Sequence, residues 1–84
     1  MNKTAGREVR LYPNPNKGMF NLFVSGDVSS FGEIEIFNML GNVIFRKRIT
    51  GSETEIDISD KPNGVYYIKA TINNSVFVER VIKQ

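Results

Sequence analysis

The sequence predicts an all-β domain that folds as a sandwich of two sheets. Apolar and polar residues alternate with a period of two along most of the chain, as they do in strands that bury one face. Turn-forming residues interrupt this alternation at short, regular intervals, and no stretch sustains a helical period. About seven short strands with regularly spaced turns are typical of an immunoglobulin-like β-sandwich, which is the fold that we predict.

The seven strands are placed where the alternation starts and stops. We predict them at residues 8–12, 18–24, 33–38, 42–50, 54–58, 64–72 and 75–83. Their inward faces are predicted to carry the alternating apolar residues Phe20, Leu22, Val24, Ile34, Ile36, Val43, Phe45, Ile56, Ile58, Tyr66, Ile68, Ala70 and Ile72. An outer-face set, which would mark an interaction surface if it were contiguous, consists of Phe23, Phe37, Tyr67 and Phe77.

Three segments between the strands have a predicted conformation. Residues 38–42 form a tight hairpin turn with Gly41 at positive φ, and Asn73-Asn74 forms another because asparagine tolerates the left-handed region. Pro13-Asn14-Pro15 is predicted to be stiff and extended, since each proline fixes φ, lacks an N–H and restricts the residue before it. Gly18 supplies the freedom for the turn that follows.

Composition limits the size and the partners of the domain. A chain of 84 residues, 40% hydrophobic and 24% charged, suits one domain with a small core rather than a disordered tail. The net charge of +2 is too small to indicate nucleic acid or an anionic membrane. The basic cluster Arg46-Lys47-Arg48 is predicted to be a solvated strand edge, because charges keep an edge strand from pairing.

Residues suited to catalysis are sparse. Cysteine and histidine are both absent, which removes the thiol nucleophile, the thiolate ligand and the imidazole base. Two pairs of carboxylates share strand faces, Glu33 with Glu35 and Glu55 with Asp57. A solvated outer face explains these pairs better than glycoside hydrolysis, which needs a cleft that raises one pKa. We therefore predict no catalytic residue and no cofactor.

The segment before the sixth strand offers two further hypotheses. Asp57, Asp60 and Asn63 could approach a calcium ion, although their spacing matches no compact loop motif, so we predict no metal. Asp60 is instead predicted to cap the turn that contains Pro62. Tyr66 stands just after this turn at the start of a late strand, where its hydroxyl can bond back to the loop in a tyrosine corner.

Nothing in the sequence predicts a membrane anchor. No segment is long and apolar enough to span a membrane, and residues 1–8 lack the apolar stretch of a signal peptide. The chain is therefore predicted to be either cytoplasmic or a piece of a larger exported protein. Residues 1–8 are interpreted as a linker or a cloning remnant, and residues 9–84 as the folded domain.

Five short motifs follow one another in a fixed order along the chain. They are Tyr12-Pro13-Asn14-Pro15 with Gly18 and Phe20, the strand–turn–strand of residues 34–43 with Gly41, Ile56-Asp57-Ile58-Ser59, Gly64-Val65-Tyr66, and Val81-Ile82-Lys83. In this order and spacing the chain resembles the type A C-terminal sorting domain of the type IX (Por) secretion system of Bacteroidetes. The resemblance spans residues 11–83. It depends on the ordered set, because each motif alone is common.

The resemblance implies an address rather than an enzyme. Such a domain is covalently part of a larger cargo, passes through the periplasm, and is recognised when folded by outer-membrane secretion machinery. A sortase-like protease then generally removes it, and the cargo is released or held at the cell surface. The implied partners are the outer-membrane secretion machinery and the sortase-like protease. No nucleic acid and no small-molecule substrate is implied. The implied recognition residues are Pro13, Asn14, Pro15, Gly18, Gly64, Tyr66, Val81 and Lys83.

A docking mode follows from this interpretation. A rigid domain can present the edge of its last strand, at residues 76–83, to an incoming strand by β-augmentation. A function of another class remains open, since fold does not fix function: an immunoglobulin-like adhesive or carbohydrate-binding module that uses exposed aromatics such as Phe37 and Tyr67. Without histidine or cysteine, an enzyme is the weakest interpretation.

Overall fold

A computed structural model describes residues 2–4, 7–25, 32–49, 51–73 and 75–84 of the chain. The strands are β1 Asn2–Thr4, β2 Arg7–Tyr12, β3 Met19–Val24, β4 Gly32–Phe37, β5 Val43–Ile49, β6 Glu53–Asp57, β7 Gly64–Ile72 and β8 Ser75–Lys83. The seven predicted strands are confirmed, each within one residue of its predicted bounds. β1 is an additional short strand that pairs with the start of β2. In these ranges no helix is long and apolar enough to cross a membrane.

The strands form two four-stranded sheets in which all neighbours are antiparallel. The first sheet has the order β1-β2-β3-β6 and the second has the order β5-β4-β7-β8. Buried side chains from both sheets belong to one core cluster. The predicted β-sandwich is therefore confirmed, and its strand order is compatible with an immunoglobulin-like fold.

Alternation along the strands builds the core. In β3 the side chains of Phe20, Leu22 and Val24 are buried, whereas those between them are not. The buried apolar set consists of Val9, Phe20, Leu22, Val24, Ile34, Ile36, Ile49, Ile56, Ile58, Tyr66, Ile68, Ala70, Ile72, Phe77 and Val81. Since one face of each strand supplies these residues, a register slip of one position would expose them and is strongly disfavoured.

The β7–β8 hairpin corrects one predicted face. Phe77 was expected on an outer face, but it is buried and lies directly across from Ala70 of β7. Directly opposed residues of an antiparallel pair lie on the same face of the sheet, so the register with the buried Ala70 turns Phe77 inward. At the turn, Asn73 has a φ of 56°, as predicted for a residue in the left-handed region. Asn74 lies outside the described residues.

The β4–β5 hairpin shows that a second residue, Val43, lies on a different face from the one predicted. Asn38 Oδ1 accepts hydrogen bonds from the N–H groups of Leu40 and Asn42, both at 3.0 Å, and Gly41 has the predicted positive φ, at 86°. The register then shifts by one residue between Ile36 and Phe37, a β-bulge in the ladder. Val43 therefore pairs with Phe37 and faces outward instead of inward, whereas Phe45 packs against the core as predicted.

The edges of the two sheets are held together on one side by a lysine. β5 is the edge strand of the second sheet, and its Arg46-Lys47-Arg48 cluster is exposed, as predicted for a solvated edge. Lys47 Nζ donates a hydrogen bond of 2.8 Å to the carbonyl oxygen of Glu55 in β6, the edge strand of the first sheet. Arg46 Nε lies 3.1 Å from a carboxylate oxygen of Glu35.

Ala70 allows a test of the packing between β7 and β8. Replacing Ala70 with Leu would press a larger side chain towards Phe77 in a filled core, so we expect the free energy of unfolding to fall by about 1–3 kcal/mol. Lys69→Leu is the matched control, because position 69 is the adjacent residue on the outer face, and its effect should stay within about 0.5 kcal/mol. Urea denaturation followed by circular dichroism measures both. Equal stability of the Ala70→Leu variant and the parent would contradict this packing.

Candidate functional site

The loop after β2 crosses from the first sheet to the second and binds the edge of β8. Asn14 makes two hydrogen bonds there through its side-chain amide. Its Nδ2 donates to the carbonyl oxygen of Arg80 at 2.8 Å, and its Oδ1 accepts from the N–H of Ile82 at 3.0 Å. The amide thus pairs with β8 as the main chain of a neighbouring strand would. The Tyr12–Pro13 and Asn14–Pro15 peptide bonds are both cis.

Asn16 continues this pairing with its own main chain. Its N–H donates to the carbonyl oxygen of Ile82 at 2.9 Å, and its carbonyl oxygen accepts from the N–H of Gln84 at 2.8 Å. Its side chain is buried, and the Oδ1 accepts from the N–H of Gly18 at 2.8 Å. We call these contacts of Asn14 and Asn16 with Arg80, Ile82 and Gln84 the terminal clamp.

The clamp contains one residue that the sequence did not reveal, and it covers a strand edge that the sequence predicted to be open. Sequence reasoning missed Asn16, although an Asn two residues before a Gly is a pattern that signals a side-chain-capped turn. It also placed an open strand edge along residues 76–83. The clamp already occupies that edge from Arg80 to Gln84. β-Augmentation at this half of β8 would therefore have to displace Asn14 and Asn16.

Gly18 is needed because three segments approach one another around it. Its φ is +112°, and a Cβ atom here would lie 2.6 Å from Ser59 Cα and 2.8 Å from Lys83 Cε. Its carbonyl oxygen accepts a hydrogen bond of 2.7 Å from the N–H of Ile58. Gly18 thus lets the loop before β3 pack directly against the chain that follows β6.

Lys83 is buried rather than presented to solvent. The residue is only 8% exposed, and its ammonium donates to the carbonyl oxygen of Lys61 at 2.6 Å and to Asn63 Oδ1 at 3.0 Å. Burial of a charged group is costly unless it is hydrogen-bonded, and these two acceptors meet that requirement. The ammonium therefore fixes the segment between β6 and β7 to the end of β8.

Tyr66 fixes the same segment from the other side. Its hydroxyl donates to the carbonyl oxygen of Pro62 at 2.5 Å, which confirms the predicted tyrosine corner. Gly64, two residues earlier, has a φ of +151°. Val81 is fully buried in the core. The structure thus brings the sequence-predicted residues to one end of the sandwich, where Pro13, Asn14 and Pro15 are exposed while Gly18, Tyr66, Val81 and Lys83 are buried.

The acidic residues near this end are used for structure. Asp57 Oδ1 accepts from the hydroxyl of Ser59 at 2.6 Å and from its N–H at 2.9 Å, and these two bonds hold the pKa of Asp57 below its ordinary value. Asp57 therefore caps the start of the turn that Ile58 and Lys61 close, and the prediction for Asp60 is wrong because, within the described part of the chain, Asp60 makes no capping hydrogen bond. Asp60 is exposed, with a carboxylate oxygen 3.8 Å from Lys61 Nζ. Among the described residues, no three His, Cys, Asp or Glu side chains form a group that could hold a metal ion.

Aromatic residues lie on both outer faces of the sandwich. On the first sheet, the guanidinium of Arg10 stands 4.9 Å from the ring centroid of Phe23. Next to this pair, the hydroxyl of Tyr12 donates to Glu53, which raises the pKa of Tyr12. On the second sheet, Phe37 and Tyr67 are cross-strand partners. The predicted outward positions of Phe23, Phe37 and Tyr67 are thus confirmed.

Comparison with known proteins gives two findings. The family described as "Secretion system C-terminal sorting domain" matches residues 10–84. A curated relative, ulvan lyase NLR42 of Nonlabens ulvanivorans, is 34% identical over 76 residues, which cover 88% of this chain and 14% of the lyase. The chain therefore spans a small part of the length of that relative.

Asn14 provides a test of the clamp. Replacing Asn14 with Ala removes two hydrogen bonds to β8, and at about 0.5–1.5 kcal/mol each we expect a loss of about 1–3 kcal/mol of unfolding free energy. Hydrogen exchange should show faster exchange of the Ile82 N–H in particular. Asn42→Ala, at an exposed position of the β4–β5 turn, should leave that amide unchanged. The clamp as described would be refuted by an Ile82 N–H that stays equally protected in Asn14→Ala.

Gly18 and Gly41 form a matched pair for testing the close approach. Both have positive φ, but a Cβ at Gly41 would meet nothing within 4 Å. Gly41→Ala should therefore cost only the conformational penalty of about 1–2 kcal/mol. Gly18→Ala adds an overlap with the backbone of Ser59, so its melting temperature should be clearly lower. Equal melting temperatures of the two variants would show that the contact around Gly18 relaxes without cost.

Proposed function

The chain belongs to the secretion-system C-terminal sorting domains, and from that premise we propose that its folded clamp end is the address that export machinery reads. It is a type IX sorting signal of a larger cargo protein, which it directs to the cell surface or the medium. In the proposed route the cargo first enters the periplasm. The outer-membrane machinery then binds the domain, and a sortase-like protease removes it.

The observation that carries this proposal is the meeting of distant signature residues at one end of the sandwich. Asn14 reaches β8 across sequence separations of 66 and 68 residues. Gly18 lies against Lys83, and Lys83 in turn holds the segment that Tyr66 also holds. A partner that binds this end would bind only a chain whose first loop and last strand are both folded in place.

We propose that the domain has no catalytic role and that any enzymatic activity lies in the cargo. The relative is a lyase by name, and this chain matches only 14% of it. A sorting domain needs a defined surface rather than reactive groups. The polar side chains at the clamp end support this view, because Asn14, Lys83 and Asp57 are each engaged in structural hydrogen bonds.

A second candidate function has one observation in its favour. Phe37 and Tyr67 lie side by side on the outer face of the second sheet, with Val43 across from Phe37 and Arg80 across from Tyr67. A row of this kind could stack on sugar rings, as in a carbohydrate-binding module. Binding of the isolated domain to polysaccharide, lost in Tyr67→Ala and without influence on export, would favour this alternative.

A reporter fusion tests the sorting function. Residues 9–84 are fused to the C-terminus of a fluorescent protein that carries an N-terminal export signal, and the fusion is expressed in a Bacteroidetes host. We expect fluorescence at the surface or in the medium only when the type IX machinery is intact. Retention of the fusion in the periplasm of the intact host would refute the proposal.

The Lys83→Met variant of the same fusion tests whether the buried lysine is needed for export. This change keeps an unbranched chain but leaves the carbonyl oxygen of Lys61 and Asn63 Oδ1 without their donor, so the segment before β7 should loosen. We expect surface delivery to fall about tenfold, the effect of roughly 1.4 kcal/mol on an equilibrium. Lys17→Met, at an exposed lysine of the same end, should be exported like the parent. If the Lys83→Met variant is exported as well as the parent, the buried lysine is not needed for recognition by the export machinery.

A further inference from the structure

An apolar cleft lies near the end of the sandwich that carries the terminal clamp, where Gly64 of its lining pairs with Lys83 of β8. It has a volume of about 340 Å³ and lies between the β4–β5 turn, the segment before β7 and the start of β7. Ile44, Pro62 and Val65 are among the residues that line it. At its rim Met39 is 68% exposed and Leu40 is 86% exposed. Exposed apolar side chains that border an apolar cleft form one contiguous patch, which is the usual mark of an interaction site.

Two of the implied recognition residues, Tyr66 and Lys83, hold one wall of this cleft in place. The wall is the segment of Lys61, Pro62 and Asn63. Lys83 holds its two ends through the carbonyl oxygen of Lys61 and Asn63 Oδ1, and Tyr66 holds its middle through the carbonyl oxygen of Pro62. The shape of the cleft therefore depends on the tyrosine corner and on the buried lysine.

We propose that this cleft docks an extended segment of an export-machinery protein that presents a large apolar side chain next to a carboxylate. This inference rests on the proposed sorting function. The apolar lining and rim select the apolar side chain. Charge complementarity selects the carboxylate, because Lys61 is the only charged residue among the described ones that line the cleft. Its weak, exposed contact with Asp60, at 3.8 Å, leaves it available.

The size and place of the cleft fit this occupant better than others. A stable dimer buries about 20–30 residues on each side, far more than this patch offers, so a second copy is disfavoured. A small patch suits a brief contact, as a signal that must be released requires. β1 pairs antiparallel with the start of β2, and no described residue of either strand lines the cleft, so the chain that enters the domain leaves the cleft accessible.

Two variants in the reporter fusion test the cleft. Leu40→Ser removes the most exposed apolar side chain of the rim, and Lys61→Glu reverses the charge while keeping the carbonyl oxygen that Lys83 binds. We expect each to lower surface delivery about tenfold. Val78→Ser, at an exposed apolar position of β8, and Lys17→Glu are the controls and should be exported like the parent. Unchanged melting temperatures of both variants exclude a folding defect.

The outcomes separate the two proposals. If the parent fusion and both cleft variants are exported equally well, the proposal that the cleft is a docking site is wrong, whereas the proposed sorting function is supported. If the parent fusion is not exported, the sorting function itself fails. Loss of export in the cleft variants, with exported controls, supports both.

Direct binding tests the chemistry of the occupant. The 84-residue chain, labelled with ¹⁵N, is titrated with the peptide Gly-Ser-Thr-Leu-Glu-Thr-Ser-Gly and with the same peptide carrying Lys in place of Glu. We expect amide shifts at residues 39–41, 61 and 63–65, and severalfold weaker binding of the Lys peptide. Equal binding of both peptides would contradict the proposed preference for a carboxylate. Amide shifts at other residues would contradict the proposed location of the binding site. Concentration-dependent dimerisation through these residues would assign the cleft to a second copy.

Discussion

The terminal clamp is the contact on which the rest of this end of the molecule depends. β8 is an edge strand, and the outward main-chain groups of such a strand need partners. The loop that supplies them contains Pro13 and Pro15, neither of which can donate a main-chain hydrogen bond. The pairing is therefore taken over by the side chain of Asn14 and the main chain of Asn16, which together reach Arg80, Ile82 and Gln84. A loop of the first sheet thus completes the second sheet.

The clamp also explains why a lysine is buried so near the end of the chain. Once β8 is held along its edge, the side chain of Lys83 points into the sandwich, alongside the buried neighbour Val81. Its ammonium then satisfies two oxygens of the segment before β7, and Gly18 leaves room for its side chain. The charge acts here as a hydrogen-bond donor that joins three segments, rather than as a surface charge. Burial of a polar group with all its partners in place gives a specific arrangement, because any looser one leaves the charge unsatisfied.

The fold could be predicted from the sequence far more fully than the site. Alternation located the strands and most inward faces, because the strands of a half-buried sheet repeat every two residues. It failed at Val43, where a bulge reverses the face, and at Phe77, which faces inward because the hairpin register pairs it with the inward residue Ala70. Local turn chemistry predicted Gly41 and the hydroxyl bond of Tyr66. The main-chain partners of Asn16 in β8 and the acceptors of Lys83 lie many residues away in the sequence, so no local pattern could indicate them.

The division of the motif residues into buried and exposed ones bears on how a folded domain can serve as a sorting signal. Gly18, Tyr66 and Lys83 belong to the motifs on which the resemblance to the family was based, and all three are buried. Buried residues cannot touch a receptor, so whatever they contribute to recognition passes through the shape that they hold. The apolar groups that remain exposed nearby include Met39 and Leu40, which lie in the turn of the strand–turn–strand motif. We therefore propose that the buried part of the signature holds the scaffold of a surface, and that a receptor contacts exposed residues at the same end of the domain.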